Sequence, residues 1–505
     1  MLCRDAPGEE MQRSSDSGRS AARKGWRCCS ASDTLRATGG RCPRPDEAIA
    51  GRALMDPSSP ATTRFGRLRS AMSESPPLLW SFVYFFCLLS GYYVLRPVRD
   101  AMGASSDVEA VFPPGMIGFF AAHGIPLKEL ILQVLSTCSF ILILIAQPIY
   151  GTLVSRFPRR VFLPVLFGFF IACLLGFHLL FDSQVAGRGL AFFLWVTVFN
   201  VFSVAVFWSF MADVFSHDEA KKYYGYIGAA GTIGAFTGPL ITRTLAEKVG
   251  LANLMLVSAA FLAACVVCIW RLRRWALQRE AKVGRDNESA MGGDVLAGLK
   301  LIAKEPLLRW LAALVFLGVG IGQLLYNQQA VIAREGFATA EARTAYYAGI
   351  DIAVNVLTLL VQLFATRWLL SRFGLAPVLL IPMAALLLGF AVLTASPLPI
   401  VVGIVQVVTR SNEFSLMKPG RETIYTRVDR QWRYKAGAAI DTAFFRGGEI
   451  TFSWTYKALS AFGSQVVFGA GLLIAGVMTA SAWRLLREEK KLPSAGAGDV
   501  PPRQD

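Results

Sequence analysis

From about residue 78 onward, apolar runs of about twenty residues alternate with short polar connections rich in Lys and Arg. A hydrocarbon core about 30 Å thick is crossed by about 20 apolar residues wound as a helix. About twelve runs meet that measure. The first six lie near 78–98, 130–153, 161–181, 188–213, 223–245 and 251–271, and the second six near 307–329, 345–368, 375–395, 397–417, 436–457 and 464–485. The pattern predicts an all-α, polytopic membrane protein. Its expected parts are a first set of six helices (73–271), a basic linker (272–306), a second set of six (307–485) and a short tail (486–505). Residues 1–72 stand apart. They are rich in Arg, Ser, Gly, Pro and Asp and contain no apolar stretch long enough for a secretory signal, so they read as a disordered basic tail. Met55 and Met72 are both plausible true starts.

Composition supports this reading. The 505 residues are 54% hydrophobic and 17% charged, with mean hydropathy +0.46, too apolar for an ordinary soluble domain. The net charge of +16 could suggest a nucleic-acid partner, but the basic residues fall in short loops between apolar runs. That is the distribution that fixes membrane orientation, and no nucleic acid is expected. Basic loops follow the second span (155–160), the sixth (Arg271, Arg273, Arg274, Arg279, Lys282, Arg285), the tenth (418–435) and the last (Arg484, Arg487, Lys490, Lys491). Both termini are therefore expected in the cytoplasm of an inner-membrane protein, acting as a monomer. Several of the nine cysteines lie inside apolar runs, Cys265 and Cys268 among them, and read as packing residues.

A charge at mid-membrane costs about 2.5–3.5 kcal/mol on the insertion scale, so several in one chain call for a use. Span ten places Gln406, Arg410 and Glu413 on one face, and span eight does the same with Asp351, Asn355 and Gln362. Span one carries Arg96, Arg99 and Asp100 towards its outer end, and span four carries Asn200 near its centre and Asp213 at its end. Span seven adds Asn327, and span eleven adds Asp441, Arg446 and Glu449. The expected anion contacts are Arg96, Arg99, Asn200, Asn327, Asn355, Arg410 and Arg446. The expected coupling or gating groups are Asp100, Asp213, Asp351, Glu413, Glu422, Lys435, Asp441 and Glu449. Structural readings stand beside these. Arg410 with Glu413 and Arg446 with Glu449 could be neutral i,i+3 couples, Arg96 and Arg99 could reach outward to the interface, and Tyr326 could be plain packing. The three histidines are scattered, and no phosphate-binding loop, nucleophile elbow or zinc spacing appears. The chain is not expected to be an enzyme or to hold a cofactor or metal, so any transport would be secondary.

The two sets of spans echo each other. Ser155-Arg156-Phe157 follows span two and Ser371-Arg372-Phe373 follows span eight, as repeated halves require. Gly151 to Arg160 resembles the loop signature of the major facilitator superfamily, with Ser155 in place of its acid. Gly231, Gly234 and Gly238-Pro239 resemble that superfamily's Gly-rich helix. A more specific likeness lies in Gly91–Asp100, Phe207–Asp213 and Pro419–Tyr425 followed by Tyr434–Asp441. These segments resemble the ATP/ADP translocase (nucleotide transporter) family, in the branch found in free-living bacteria. The likeness extends from about residue 78 to 485 and implies a major-facilitator-like arrangement that exchanges nucleotides without hydrolysing them. It also assigns Arg96, Arg99 and Asp100, the pair Arg421-Glu422, and Lys435 and Asp441 to the family's motif positions. This chain departs from the pattern in having no acid between Leu194 and Val198, and in carrying Arg99 where the family favours Lys.

The expected function is secondary transport of a small organic anion across a lipid bilayer, with ATP/ADP-type exchange foremost. A proton-coupled carrier of another small metabolite or drug is the first alternative, with Asp351 or Glu413 carrying the proton. A non-transporting or lipid-handling membrane protein, whose charges only pair helices, is the second.

Overall fold

The structure is a computed structural model that describes residues 75–156, 159–283, 295–426 and 436–491. Long helices dominate. In chain order the membrane helices are α1 (Pro76–Gly103), α2 (Ile131–Arg156), α3 (Arg159–Asp182), α4 (Arg188–Val214), α5 and α6 (217–249 and 251–283), α7 (Pro306–Gly336), α8 (Ala340–Phe373), α9 (Leu375–Ala395), α10 (399–426), α11 (436–460) and α12 (Ser464–Glu489). Among the described residues, eight helical stretches are long and apolar enough to cross a membrane by length and composition, and Ile131–Gln147 is a shorter apolar helix. One of the eight, Lys222–Gln278, is interrupted at Gly250, whose φ of 78° and ψ of 164° belong to glycine almost alone. That break separates α5 from α6. α10 and α11 fall outside the eight because their own charged residues lower their hydropathy.

Short helices that the apolar pattern did not predict cover one end of the bundle, at Val108–Val111 and Pro114–Ala122, and a further helix, Val295–Lys304, precedes α7. The predicted linker is partly helical too, since α6 runs on to Val283.

The two largest apolar cores among the described residues hold most of the helices. The first is aromatic and joins α1, α3, α4, α5 and α6. Phe85 stacks on Phe207 at 4.3 Å and Trp195 on Phe199 at 5.2 Å, with Tyr84, Phe167 and Phe170 packed edge-on around them. The second is aliphatic and joins α7, α9, α10, α11 and α12 through Leu311, Leu379, Phe390, Phe468 and Met478. Large apolar side chains such as Phe364, Trp270 and Leu473 point outward, as they do in a protein whose surroundings are lipid.

The Gly-rich helix packs against α1. A Cβ on Gly234 would lie 2.6 Å from the Phe86 carbonyl oxygen, and one on Gly238 would lie 2.8 Å from that of Ser90. Small residues permit this backbone approach. Thr242 then donates to the Val94 carbonyl at 2.9 Å, and Ser258 of α6 donates to that of Gly91 at 3.0 Å, holding α1 from two sides.

Among the described residues, π turns interrupt the helices of the second set at Gln362–Thr366 in α8, Glu413–Met417 in α10 and Ile440–Phe444 in α11. A π turn loosens the carbonyl ladder and shifts the faces that follow it. The turns in α8 and α10 are tied together, because Thr366 donates to the Ser415 carbonyl at 2.8 Å and Gln362 to that of Phe414 at 3.2 Å.

Candidate substrate site

Where the two sets of helices meet, buried charges from both are drawn together. Arg96, Arg99 and Asp100 occupy the last turns of α1. Their side chains are 17%, 15% and 3% exposed, so they turn into the bundle rather than out to the interface. Arg99 grips Asp100 through Nε at 3.0 Å and Nη2 at 2.7 Å, with its guanidinium over the Phe193 ring. Arg96 lies over the Tyr93 ring, and its Nε is 3.8 Å from Asp100 Oδ2.

Asp351, on α8, is 2% exposed and joins the sets. Its Oδ1 lies 2.9 Å from Arg410 Nη1 of α10 and 3.5 Å from Arg96 Nη1 of α1. Its Oδ2 and the Arg96 Nε are both buried without a hydrogen-bond partner among the described residues. The cluster therefore holds three guanidiniums against two carboxylates and leaves bonding capacity unused. The unmet Arg96 donor is expensive to bury and available to an incoming anion, whereas the Asp351 oxygen, an acceptor, is not.

Around this centre, Tyr326 of α7 donates its hydroxyl to Asp100 at 2.9 Å, and Gln133 of α2 donates to Asn327 Oδ1 at 3.0 Å. Asn355 donates to the Ala235 carbonyl of α5 at 2.7 Å. Nearer the rim, Trp454 of α11 donates to Thr137 at 3.1 Å and Lys457 pairs with Glu129 at 2.7 Å. The cross-set hydrogen bonds and ion pairs between described residues thus run from mid-bundle to one end, where α1, α5, α7 and α11 finish and α2 and α8 begin. We call this the distal end, since it lies opposite the start of α1 and the end of α12.

The remaining expected residues fall into other groups. Arg446 pairs with Glu449 at 2.8 Å, as its i,i+3 spacing predicted. Arg421 of α10 pairs with Asp441 of α11 at 3.0 Å, and Glu422 beside it is exposed. Asn200 is half-buried on α4, and its amide has no partner among the described residues. Asp213 is half-buried and engaged at the end of α4. Lys435 and residues 157–158 of the loop signature lie outside the described residues.

Two expectations change. Arg410 does not couple with Glu413; it reaches Asp351 instead, and Glu413 makes no ion pair among the described residues, though Lys418, Arg410 and Arg421 act on it electrostatically. The reason is local, since the π turn begins at Glu413 and carries its side chain off the face of Arg410. Tyr326 is not plain packing but a ligand of Asp100. Gln133, Glu129 and Lys457 were missed because their partners lie about 200 to 330 residues away in sequence, beyond any local pattern.

A helical bundle with charges buried between two sets of spans defines a multi-pass membrane transporter, and comparison with known proteins agrees. The sequence profile of the Major Facilitator Superfamily matches residues 123–417, and the chain belongs to that superfamily. It is 24% identical over 489 residues to ADP,ATP carrier protein 1 of Chlamydia trachomatis serovar D, covering 82% of this chain and 89% of the relative. It is also 24% identical over 456 residues to ADP,ATP carrier protein 1 of Chlamydia muridarum, covering 76% and 83%. Among solved structures, an auto-inhibited POT family peptide transporter superposes with a TM-score of 0.56 at 13% identity, covering 85% of this chain and 99% of that one. The nucleoside transporter NupG superposes at 0.51 and 14% identity, covering 82% and 98%. The chain is a secondary membrane transporter with the expected all-α polytopic fold, and the resemblance to ATP/ADP translocases read in its sequence is upheld.

Proposed function

We propose that the chain exchanges nucleotides of the ATP and ADP type, one against the other, without hydrolysing them. The observation that carries this reading is the buried Arg96–Asp351–Arg410 bridge between the two helix sets, in a chain similar to two ADP,ATP carriers. A phosphate chain offers the guanidiniums a better partner than one carboxylate, because it accepts several charge-assisted bonds at once. It would displace Asp351 from Arg96 and Arg410, with Asn200 and Asn355 orienting the remainder. When substrate leaves, Asp351 closes the bridge again. Arg446, paired with Glu449, supplies a further phosphate contact deeper in the second set.

The clasped distal end gives this state a direction: the site faces the end where α1 begins and α12 finishes. Alternating access follows when the distal contacts part and the opposite end closes. On this reading the basic loops support cytoplasmic termini and insertion in an inner membrane, and the protein works as a monomer with no nucleic-acid partner. The test is uptake of labelled ATP into proteoliposomes preloaded with ADP, against empty ones. Uptake that needs internal ADP and falls at least about 100-fold in Arg410→Ala supports the reading. No uptake by folded, inserted protein rejects it.

One observation favours a second reading. Glu413 is a half-buried carboxylate without an ion pair among the described residues, whereas Asp351 is held by two guanidiniums, which leaves Glu413 the better proton carrier. Transport that follows an imposed pH gradient and stops in Glu413→Gln would establish proton coupling instead.

A further inference from the structure

A cavity of about 270 Å³ lies at the distal end, apart from the Arg96–Asp351–Arg410 centre. Its polar lining comes from both helix sets: Glu129 and Gln133 of the first, and Gln328, Arg334, Tyr456 and Lys457 of the second. Its inner wall includes the cross-set hydrogen bond from Gln133 to Asn327, and its rim carries the cross-set ion pair of Lys457 with Glu129.

Arg334 is the informative residue. It sits in the last turn of α7, half-buried, and makes no ion pair among the described residues. Among the described residues its buried Nε has no acceptor, and its one hydrogen bond is a long one, 3.5 Å from Nη1 to the Lys128 carbonyl. A guanidinium lining a cavity with a free, desolvated donor calls for an acceptor, and the cavity is large enough to admit one. Lys457 lines the same cavity, and its one ion pair among the described residues is to a carboxylate whose side chain is 62% exposed. The Gln328 amide and the Tyr456 hydroxyl add donors, the hydroxyl now spent on the Gln328 oxygen at 2.9 Å, while the Gln133 amide is already spent on Asn327 and the Ser453 carbonyl. Both cations belong to the second set and the one acid to the first.

We propose that this cavity is a loading site for the phosphate chain of an anion arriving at the distal face. Arg334 and Lys457 are its cationic contacts, and Glu129 is the resident group it displaces. It rests on the nucleotide reading only for the source of that phosphate chain. Binding has a built-in consequence. Lys457 exchanges Glu129 for phosphate, the rim ion pair between the helix sets is lost, and Glu129, mostly exposed already, passes to water at little cost. The anion thereby loosens the contacts that keep the distal end closed, directly above the hydrogen bond it must next pass.

The test is pyrophosphate binding to the full-length chain in detergent, read as the concentration dependence of Tm, since a ligand of the native state raises Tm as it saturates. Arg410→Gln serves as the background, to remove binding at the central site; Asp351 keeps Arg96 there, so the fold is retained. In that background pyrophosphate and ADP should bind alike and adenosine should not bind. Adding Arg334→Gln should raise Kd at least about tenfold, the worth of one charge-assisted contact. Adding Glu129→Gln, which removes the competitor, should lower Kd severalfold. The last result separates a binding role from a structural one, because loss of an ion pair that merely braced the site would weaken binding. Loss of all pyrophosphate binding in Arg410→Gln alone, unchanged binding on adding Arg334→Gln, or weaker binding on adding Glu129→Gln would each overturn the proposal. Absence of ATP/ADP exchange by the wild type would instead strike the nucleotide reading and leave this site standing.

Discussion

Asp351 holds two guanidiniums from different helix sets, and the cost of removing it should exceed that of removing either partner. Breaking a buried ion pair by deleting one member costs about 3–5 kcal/mol, because a charge is left uncompensated. Asp351→Asn strands Arg96 and Arg410 together and is expected to fall in that range, whereas Arg410→Gln leaves Asp351 its contact with Arg96 and should cost less. Adding Arg410→Gln to Asp351→Asn should recover part of the loss, since one stranded charge disappears. Thermal denaturation of the three variants in one detergent checks the order. A double variant less stable than Asp351→Asn would show that Arg410 is held by something else. The sequence identified both residues as buried charges in apolar runs. It could not pair them, since the periodicity of α10 favoured Glu413 and no local rule anticipates a π turn. The cations of the distal cavity were harder still to read: Arg334 and Lys457 sit at helix ends, where a basic residue is ordinary. At the rim, Lys457 draws the exposed Glu129 carboxyl below its usual range. With the folded value depressed, the pair's contribution is present above the unfolded pKa and is lost only as pH falls through the lower folded one, so it is intact at neutral pH.

Among the elements, α1 and α5 make the closest backbone approach and give the sharpest contrast. Gly234→Ala would drive a methyl group into the Phe86 carbonyl and the Ser90 amide, atoms that cannot swing away. Overpacking of that kind costs about 1–3 kcal/mol. Gly228→Ala, on the same helix with nothing within 4 Å, should be neutral or slightly stabilising. Equal melting temperatures for the two would mean that the helices separate freely at Gly234. Thr366→Val tests the tie between the π turns of α8 and α10, where loss of the bond to the Ser415 carbonyl should cost about 1 kcal/mol. Helix positions were legible because apolar length and flanking charge determine them: α9 runs Leu375–Ala395 as read, and α4 differs by one residue. The break at Gly250 was legible as a boundary between spans, though not as a single glycine joining two helices. The short helices at the distal end were not, being too short for any period to show.

At the scale of the whole molecule, transport requires the distal contacts to part. Tethering Glu129→Cys to Lys457→Cys with a short bis-methanethiosulfonate, which forms a disulfide at each cysteine with loss of methanesulfinate, should stop exchange in proteoliposomes, and a reductant should restore it. Continued exchange in the tethered protein would mean that the two sides do not separate at this rim. The two helix sets are also built differently. Aromatic rings lock the first into continuous helices, while all three described π turns fall in the second, two of them bonded to each other. Stiffness is therefore divided unequally: one half can swing as a lever, and the other must flex as a spring about a common level. Hydrogen exchange should record the difference, with amides after residues 366, 417 and 444 opening well before those of α1 and α4, and slowing when substrate fills the site.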